Sequence, residues 1–222
     1  MPLRNRVTPY GEIVATPERG TMMGNRGILH DDRKQLVRTT QVRGWLCCVT
    51  SFKGIRRVIM KPHSYTELFF LDEATAFAAG HRPCFECRRG SALAFQAAWT
   101  RVLGGRSMAG EIDRVLDHER RVPRIGKKRT YEADARSLPD GTMVARDGSA
   151  WLVLGGRLLR WTPAGYAERT HLGDGLLEVL TPSSTTQVLR AGYSPGIHVS
   201  ASAFTWTSTA PPTRPQEHRA AQ

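Results

Sequence analysis

Acidic residues are scarce relative to basic ones in this chain, with 20 Asp and Glu against 32 Lys and Arg and a formal net charge of +12. A compact chain so charged repels itself, and nucleic acid is the usual partner that offsets the excess. Long apolar runs are missing as well. Nothing approaches the roughly 20 consecutive apolar residues of a membrane-spanning helix, so the reading is of a protein that is not integral to a membrane. The opening MPLRNRVTPYGE is charged early and has no apolar stretch of the secretory kind, which leaves the cytoplasm as the expected location. Cysteine is limited to four residues: the adjacent Cys47 and Cys48, and the two ends of Cys84-Phe85-Glu86-Cys87. Without a secretory signal, that usage favours metal ligation or plain thiols over a disulfide framework. No internal repeat is evident.

What is present suffices for a hydrophobic core without covalent staples, since 222 residues of ordinary aliphatic content can bury enough apolar surface. The first 27 residues, with Pro2, Pro9, Pro17 and several glycines, predict loops or short strands. Residues 44–61 read as two β-rich runs forming a hairpin around Lys53-Gly54, with the cysteine pair on the first strand. A short helix is expected over 72–79, started by Asp72 and Glu73 and stopped by Gly80. Leu93, Phe95, Ala97, Ala98, Trp99 and Val102 recur at helical spacing over 88–103. Ile112, Val115 and Leu116 give a narrower stripe over 109–121, before Pro123. Residues 142–162, punctuated by Asp147-Gly148 and Gly155-Gly156, predict a three-stranded meander. A strand near 176–180 and a helix starting at 181–184 follow. The fold expected is α+β: one compact domain over 1–204 with central helices, a knuckle at 70–89 and flanking hairpin and meander, then a disordered tail over 205–222.

Two thiols separated by two residues can ligate one zinc ion, here in a structural role, and a closed site needs four ligands. Because successive strand residues face opposite sides, one of the adjacent cysteines is expected to join Cys84 and Cys87. Cys48 and His63 complete the candidate set, with His81 and His30 as further candidates. The plainer alternative is that the thiols are simply buried.

Residues 70–89 resemble the second half of the Ada-type zinc-binding domain of DNA alkylation-repair proteins. The likeness rests on a helix containing Glu73 and Ala74, then Ala79-Gly80-His81-Arg82-Pro83-Cys84 and Cys87-Arg88. It covers about a tenth of the chain. It implies zinc ligation by Cys84 and Cys87 and a connection to DNA. In that family an upstream cysteine ligand accepts a methyl group from a DNA phosphotriester. The family's upstream ligands are separated by three residues, whereas Cys47 and Cys48 are adjacent, so that role is not carried over.

The expected partner is DNA, with no membrane. Candidate DNA contacts are Arg26, Arg56, Arg57, Arg82, Arg88, Arg89, Arg124, Lys127, Lys128 and Arg129, which would position a phosphate backbone without reading its sequence. Trp45, Trp99, Trp151 and Trp161 lie in apolar patterns and read as core. Asp113, Asp117, His118 and Glu119 sit among arginines, so an ion-pair face is preferred to a divalent-metal site.

The best-fitting activity is DNA base excision by a glycosylase, in repair or phage defence, acting on alkylated, deaminated or hypermodified bases. Such an enzyme needs a basic docking surface, a pocket for a flipped base, and one acid or amide to activate water or stabilise charge. Asn25, Asp31, Glu67 and Asp72 are the candidates. For Asn25 and Asp31 the plainer role is turn formation, and for Glu67 and Asp72 it is helix capping. Two alternatives remain: a His-metal-finger nuclease using His81 or His30, and a non-catalytic zinc-dependent DNA-binding module.

Overall fold

The computed structural model describes residues 1–55, 58–105, 107–122 and 127–205. It is an α+β fold with two six-stranded sheets. The first sheet comprises β1 (Arg4–Val7), β2 (Ile13–Ala15), β3 (Met22–Asn25), β4 (Leu46–Val49), β5 (Leu68–Phe70) and β6 (Arg82–Pro83), in the order β2-β1-β5-β3-β4-β6. The second comprises β7 (Tyr131–Asp134), β8 (Met143–Arg146), β9 (Ser149–Leu154), β10 (Arg157–Thr162), β11 (Gly165–His171) and β12 (Leu176–Val179), in the order β11-β10-β9-β8-β12-β7. Helices α1 (Glu73–Ala78), α2 (Arg89–Leu103), α3 (Ala109–Arg120), α4 (Ser183–Arg190) and α5 (Ser202–Thr205) complete it. No helix among the described residues is long and apolar enough to cross a membrane.

The shortest of the central helices organises the molecule. All six residues of α1 are buried. Ala74 and Ala78 pack on Met143, Leu152, Leu159 and Tyr166 of the second sheet, while Ala76 and Ala79 pack on Val7, Leu68 and Phe70 of the first. Small side chains on two faces let both sheets approach one helix. Phe77 points a third way, into Phe95 and Trp99 of α2, Ile112 and Leu116 of α3, and Val188 and Leu189 of α4. The start of α1 is set by Asp72, whose Oδ1 accepts from Thr75 N at 2.8 Å and Thr75 Oγ1 at 2.7 Å. Its end is set by Gly80, at φ +90, where a Cβ would lie 2.8 Å from the Arg120 side chain.

The meander is present and longer than expected: β8, β9 and β10 are joined by β11 on one side and by β12 and β7 on the other. Asp147-Gly148 and Gly155-Gly156 turn it, each with positive φ at both residues. The strand near 176–180 and the helix after Pro182 are also present.

The hairpin expected over 44–61 needs correction. Its first run is β4, and Lys53-Gly54 does turn, with Ile55 N donating to Phe52 O at 3.1 Å. Residues 58–61 form no strand, and Arg56 and Arg57 lie outside the described residues. The physical reason is edge occupancy: β4 already pairs with β3 on one side and β6 on the other, so no edge is left for residues 55–61. The expected tail falls mostly on 206–222, outside the described residues.

Candidate functional site

Strand register builds the cysteine cluster. Leu46 and Cys47 lie beside Arg82 and Pro83 in the parallel pairing of β4 with β6, so Cys48 falls beside Cys84. Met23 of β3 lies on the other side of Cys48. Cys84 N donates to Cys47 O at 3.0 Å, which anchors the knuckle to β4. The chain then turns through Phe85 and Glu86, with Arg88 N donating to Cys84 O at 3.1 Å and Glu86 N to Cys84 Sγ at 3.4 Å. That turn brings Cys87 back, and the sulfurs of Cys48, Cys84 and Cys87 all lie within 4.8 Å of one another. Tetrahedral thiolates about 2.3 Å from a zinc ion sit about 3.8 Å apart, so only a small contraction is needed. The three are therefore close enough to hold a metal ion.

The surroundings suit thiolate ligation. Met23, Leu46 and Phe69 pack around the sulfurs, and Cys48 and Cys84 are each 7% exposed. A hydrogen bond from the Cys48 thiol lowers the pKa of Cys84, and the same bond raises that of Cys48. Burial pushes the Cys87 thiol up.

Of the four expected metal ligands, the structure brings Cys48, Cys84 and Cys87 together and leaves His63 out. His63 is exposed, at φ +59, on the loop before β5. Cys47 faces the opposite side, buried against Leu68, Phe70 and Ala76, with its Sγ 3.6 Å from Arg88 Nη1. His81 is fully buried between Trp45 and Phe70, and burial, then Arg26 and Arg120, hold it neutral. His30 is held by Thr66 Oγ1 at 2.6 Å and Lys61 O at 3.2 Å. Among the described residues, no fourth His, Cys, Asp or Glu joins the cluster.

The four expected catalytic residues are not assembled around shared partners. Asn25 is half-buried on β3, paired with Leu46. Asp31 Oδ1 accepts from Arg33 N at 3.0 Å and Gln35 N at 2.8 Å, a loop-forming role. Glu67 Oε2 accepts from Met60 N at 2.8 Å and so pins a loop residue at φ +53. Asp72, besides capping α1, accepts at Oδ2 from Tyr166 Oη at 2.7 Å and His198 N at 3.0 Å. Its oxygens are spent on joining α1 to the second sheet.

The expected DNA-contacting cations divide by burial. Arg82 is 5% exposed and bidentate with Asp113 of α3, both bonds 2.8 Å. Arg88 donates to Glu73 Oε1 at 2.6 Å, and Glu73 also accepts from Tyr193 Oη at 2.8 Å and Gly196 N at 2.9 Å. Both arginines therefore join elements rather than face solvent. Asp117 pairs with Arg120, and Glu119 caps α4 through Ser184 N and Oγ, so the acids of α3 form ion pairs and a cap. Arg89, at the start of α2, and Lys127 are exposed, and Arg129 is half-buried. Arg124, like Arg56 and Arg57, lies outside the described residues. Arg26 and Lys128 converge elsewhere, with Arg120, around Trp45.

Tyr193, the pairing of Glu73 with Arg88 and the convergence on Trp45 were not singled out by sequence reasoning. Their partners lie up to 123 residues away in the chain, and no local pattern announces such pairings. Comparison with family models, curated proteins and solved structures finds no match to this chain.

Proposed function

We propose that this protein binds nucleic acid through a fold whose first sheet is fastened by a zinc–thiolate knuckle. The observation that carries the reading is the meeting of Cys48 with Cys84 and Cys87. Three soft sulfur donors in an apolar shell favour zinc over hard cations such as calcium or magnesium. Bound zinc would supply a structural cross-link between β4 and the turn entering α2. The net charge of +12 supports a polyanionic partner, and the resemblance of 70–89 to the Ada-type domain supports DNA in particular. The exposure of Arg89 beside the knuckle and of Lys127 on the loop after α3 supports them as phosphate contacts.

Base excision is the second reading, and Glu67 favours it most among the four candidates. Among the described residues it is buried and accepts a single hydrogen bond, whereas Asp31 and Asp72 each accept several. A buried carboxylate with spare acceptor capacity is the type of group that such chemistry uses.

Elemental analysis of the purified protein should find about one zinc per chain, lost when Cys84 and Cys87 are both replaced by serine. Incubation with unmodified, alkylated, deaminated and glucosylated DNAs should give complexes with intact DNA. Alkali-labile sites with a released base, abolished by Glu67→Gln, would replace the binding reading with a glycosylase. Direct strand breaks would point to a nuclease.

A further inference from the structure

At the end of the first sheet a second constellation lies on the opposite face from the three thiols. Asn25, Leu46 and Arg82 form the last paired row of β3, β4 and β6. One residue further, the same register sets Arg26, Trp45 and His81 side by side. Arg26 Cζ lies 4.0 Å from the Trp45 ring centroid, and its Nε donates to His81 Nε2 at 3.4 Å. The last residue of α3, Arg120, brings its Cζ to 3.8 Å from the same ring. From the loop after α3, Lys128 Nζ donates to Ala78 O at 2.5 Å, at the carbonyl end of α1.

These cations line a pocket of about 330 Å³, together with Tyr10, Arg121 and Lys127. Among the described residues, Glu12 supplies the one carboxylate of the lining, from an exposed position on the turn between β1 and β2. Arg26 and Arg120 are 2% and 3% exposed. Their hydrogen bonds are incomplete. Arg26 Nη1 reaches Gly11 O at 2.9 Å, yet Nη2 has no partner among the described residues. Arg120 reaches Gly80 O, Arg43 O and Asp117 Oδ1, yet its Nε has no partner among the described residues. Carbonyl capping of α1 accounts for Arg120 and Lys128 in part. It does not account for Arg26, which is buried with no ion-pair partner among the described residues and with Arg120 and Arg121 near it. Burying an ion without a counter-ion is costly, and a fold that keeps several together has a use for the uncompensated charge. Burial first, then Arg26 and Arg120, lower the Lys128 amine to about 7, which records the same repulsion.

We propose that this pocket binds the terminal phosphate of a phosphate monoester. Two guanidinium groups and an amine lining one pocket match a dianionic, three-oxygen group better than a carboxylate, which offers one charge and two oxygens. The volume admits one nucleotide-sized ester and excludes a duplex. Tyr10 stands at the lining, partly exposed, where an attached base or sugar can rest on it. The site names the group that a nucleic acid or a free nucleotide presents, and it stands whether or not the thiols hold zinc.

Isothermal titration with AMP, adenosine, inorganic phosphate, and single-stranded oligonucleotides with and without a 5′-phosphate tests it at fixed salt. AMP and the 5′-phosphorylated strand should bind one to one, at least tenfold tighter than adenosine and the unphosphorylated strand. Arg26→Met and Lys128→Met should each weaken that binding at least tenfold, with zinc content and circular dichroism unchanged. If Arg26→Met does not fold, Lys128→Met gives the same reading. Tighter binding of the phosphorylated strand than of AMP assigns the source to a nucleic-acid end, and the reverse order assigns it to a free nucleotide. Equal binding of phosphorylated and unphosphorylated probes, or binding unchanged in the folded variants, overturns the proposal. Loss of zinc binding in a separate cysteine variant would leave this result untouched, so the two readings fail independently.

Discussion

Adjacent cysteines on β4 separate the thiol cluster from the core, because Cys48 faces the knuckle and Cys47 faces α1. Cys47→Ala should therefore keep its metal and lose about 1 kcal/mol of stability for a small buried cavity, whereas Cys48→Ala should lose the metal. Metal content and urea midpoints on the two variants check this together. The split was readable from the sequence, since period two alone puts neighbours on opposite faces. His63 was not excluded there, because nothing in the sequence tells which way a loop carries a ligand. Lys128 gives a second test at this scale. Its folded pKa, about 7, lies below its unfolded value of about 10.4, so the unfolded state binds more protons between those limits. Its contribution to stability therefore rises as pH increases from about 7 to about 10 and is least favourable below about 7. Lys128→Met should flatten the stability–pH curve over that window relative to the parent, measured by urea unfolding at stepped pH.

At the scale of elements, α1 and its cap join the two sheets. Asp72→Ala removes the helix cap and leaves the buried Tyr166 hydroxyl and His198 amide without their acceptor, for an expected loss of about 2–4 kcal/mol. The ion pair between β6 and α3 behaves differently. Arg82→Met alone strands a buried carboxylate and should cost about 3–5 kcal/mol, while Arg82→Met with Asp113→Leu should recover most of it. A urea double-mutant cycle measures both. Elements with strong local signals were legible: Asp72 and Gly80 bracket α1, and the paired turn residues at 147–148 and 155–156 mark the meander. The second arm of the hairpin failed because strand formation depends on a free edge, and β3 and β6 occupy both edges of β4. β6 has two residues and no strand pattern of its own, so that occupancy has no local signal.

Across the whole molecule, the charge excess read from composition divides into two populations. Arg82 and Arg88 are consumed in ion pairs, and Arg26 and Arg120 are enclosed around Trp45. That leaves exposed cations such as Arg89 and Lys127 for long-range attraction. Nucleic-acid affinity should accordingly fall with rising salt, with a slope that reports only the few phosphates neutralised rather than the full formal charge. Composition could indicate a polyanion partner, but which cations are free depends on pairings such as Arg82 with Asp113 that only the fold reveals.

The most direct measurement is a fluorescence-anisotropy titration of labelled duplex DNA without terminal phosphates, made with zinc-loaded protein, with the same protein stripped by a chelator, and after zinc is restored. The account predicts tight binding that is lost on stripping and regained with zinc. Equal binding by loaded and stripped protein, or no binding by protein carrying one zinc per chain, would contradict it.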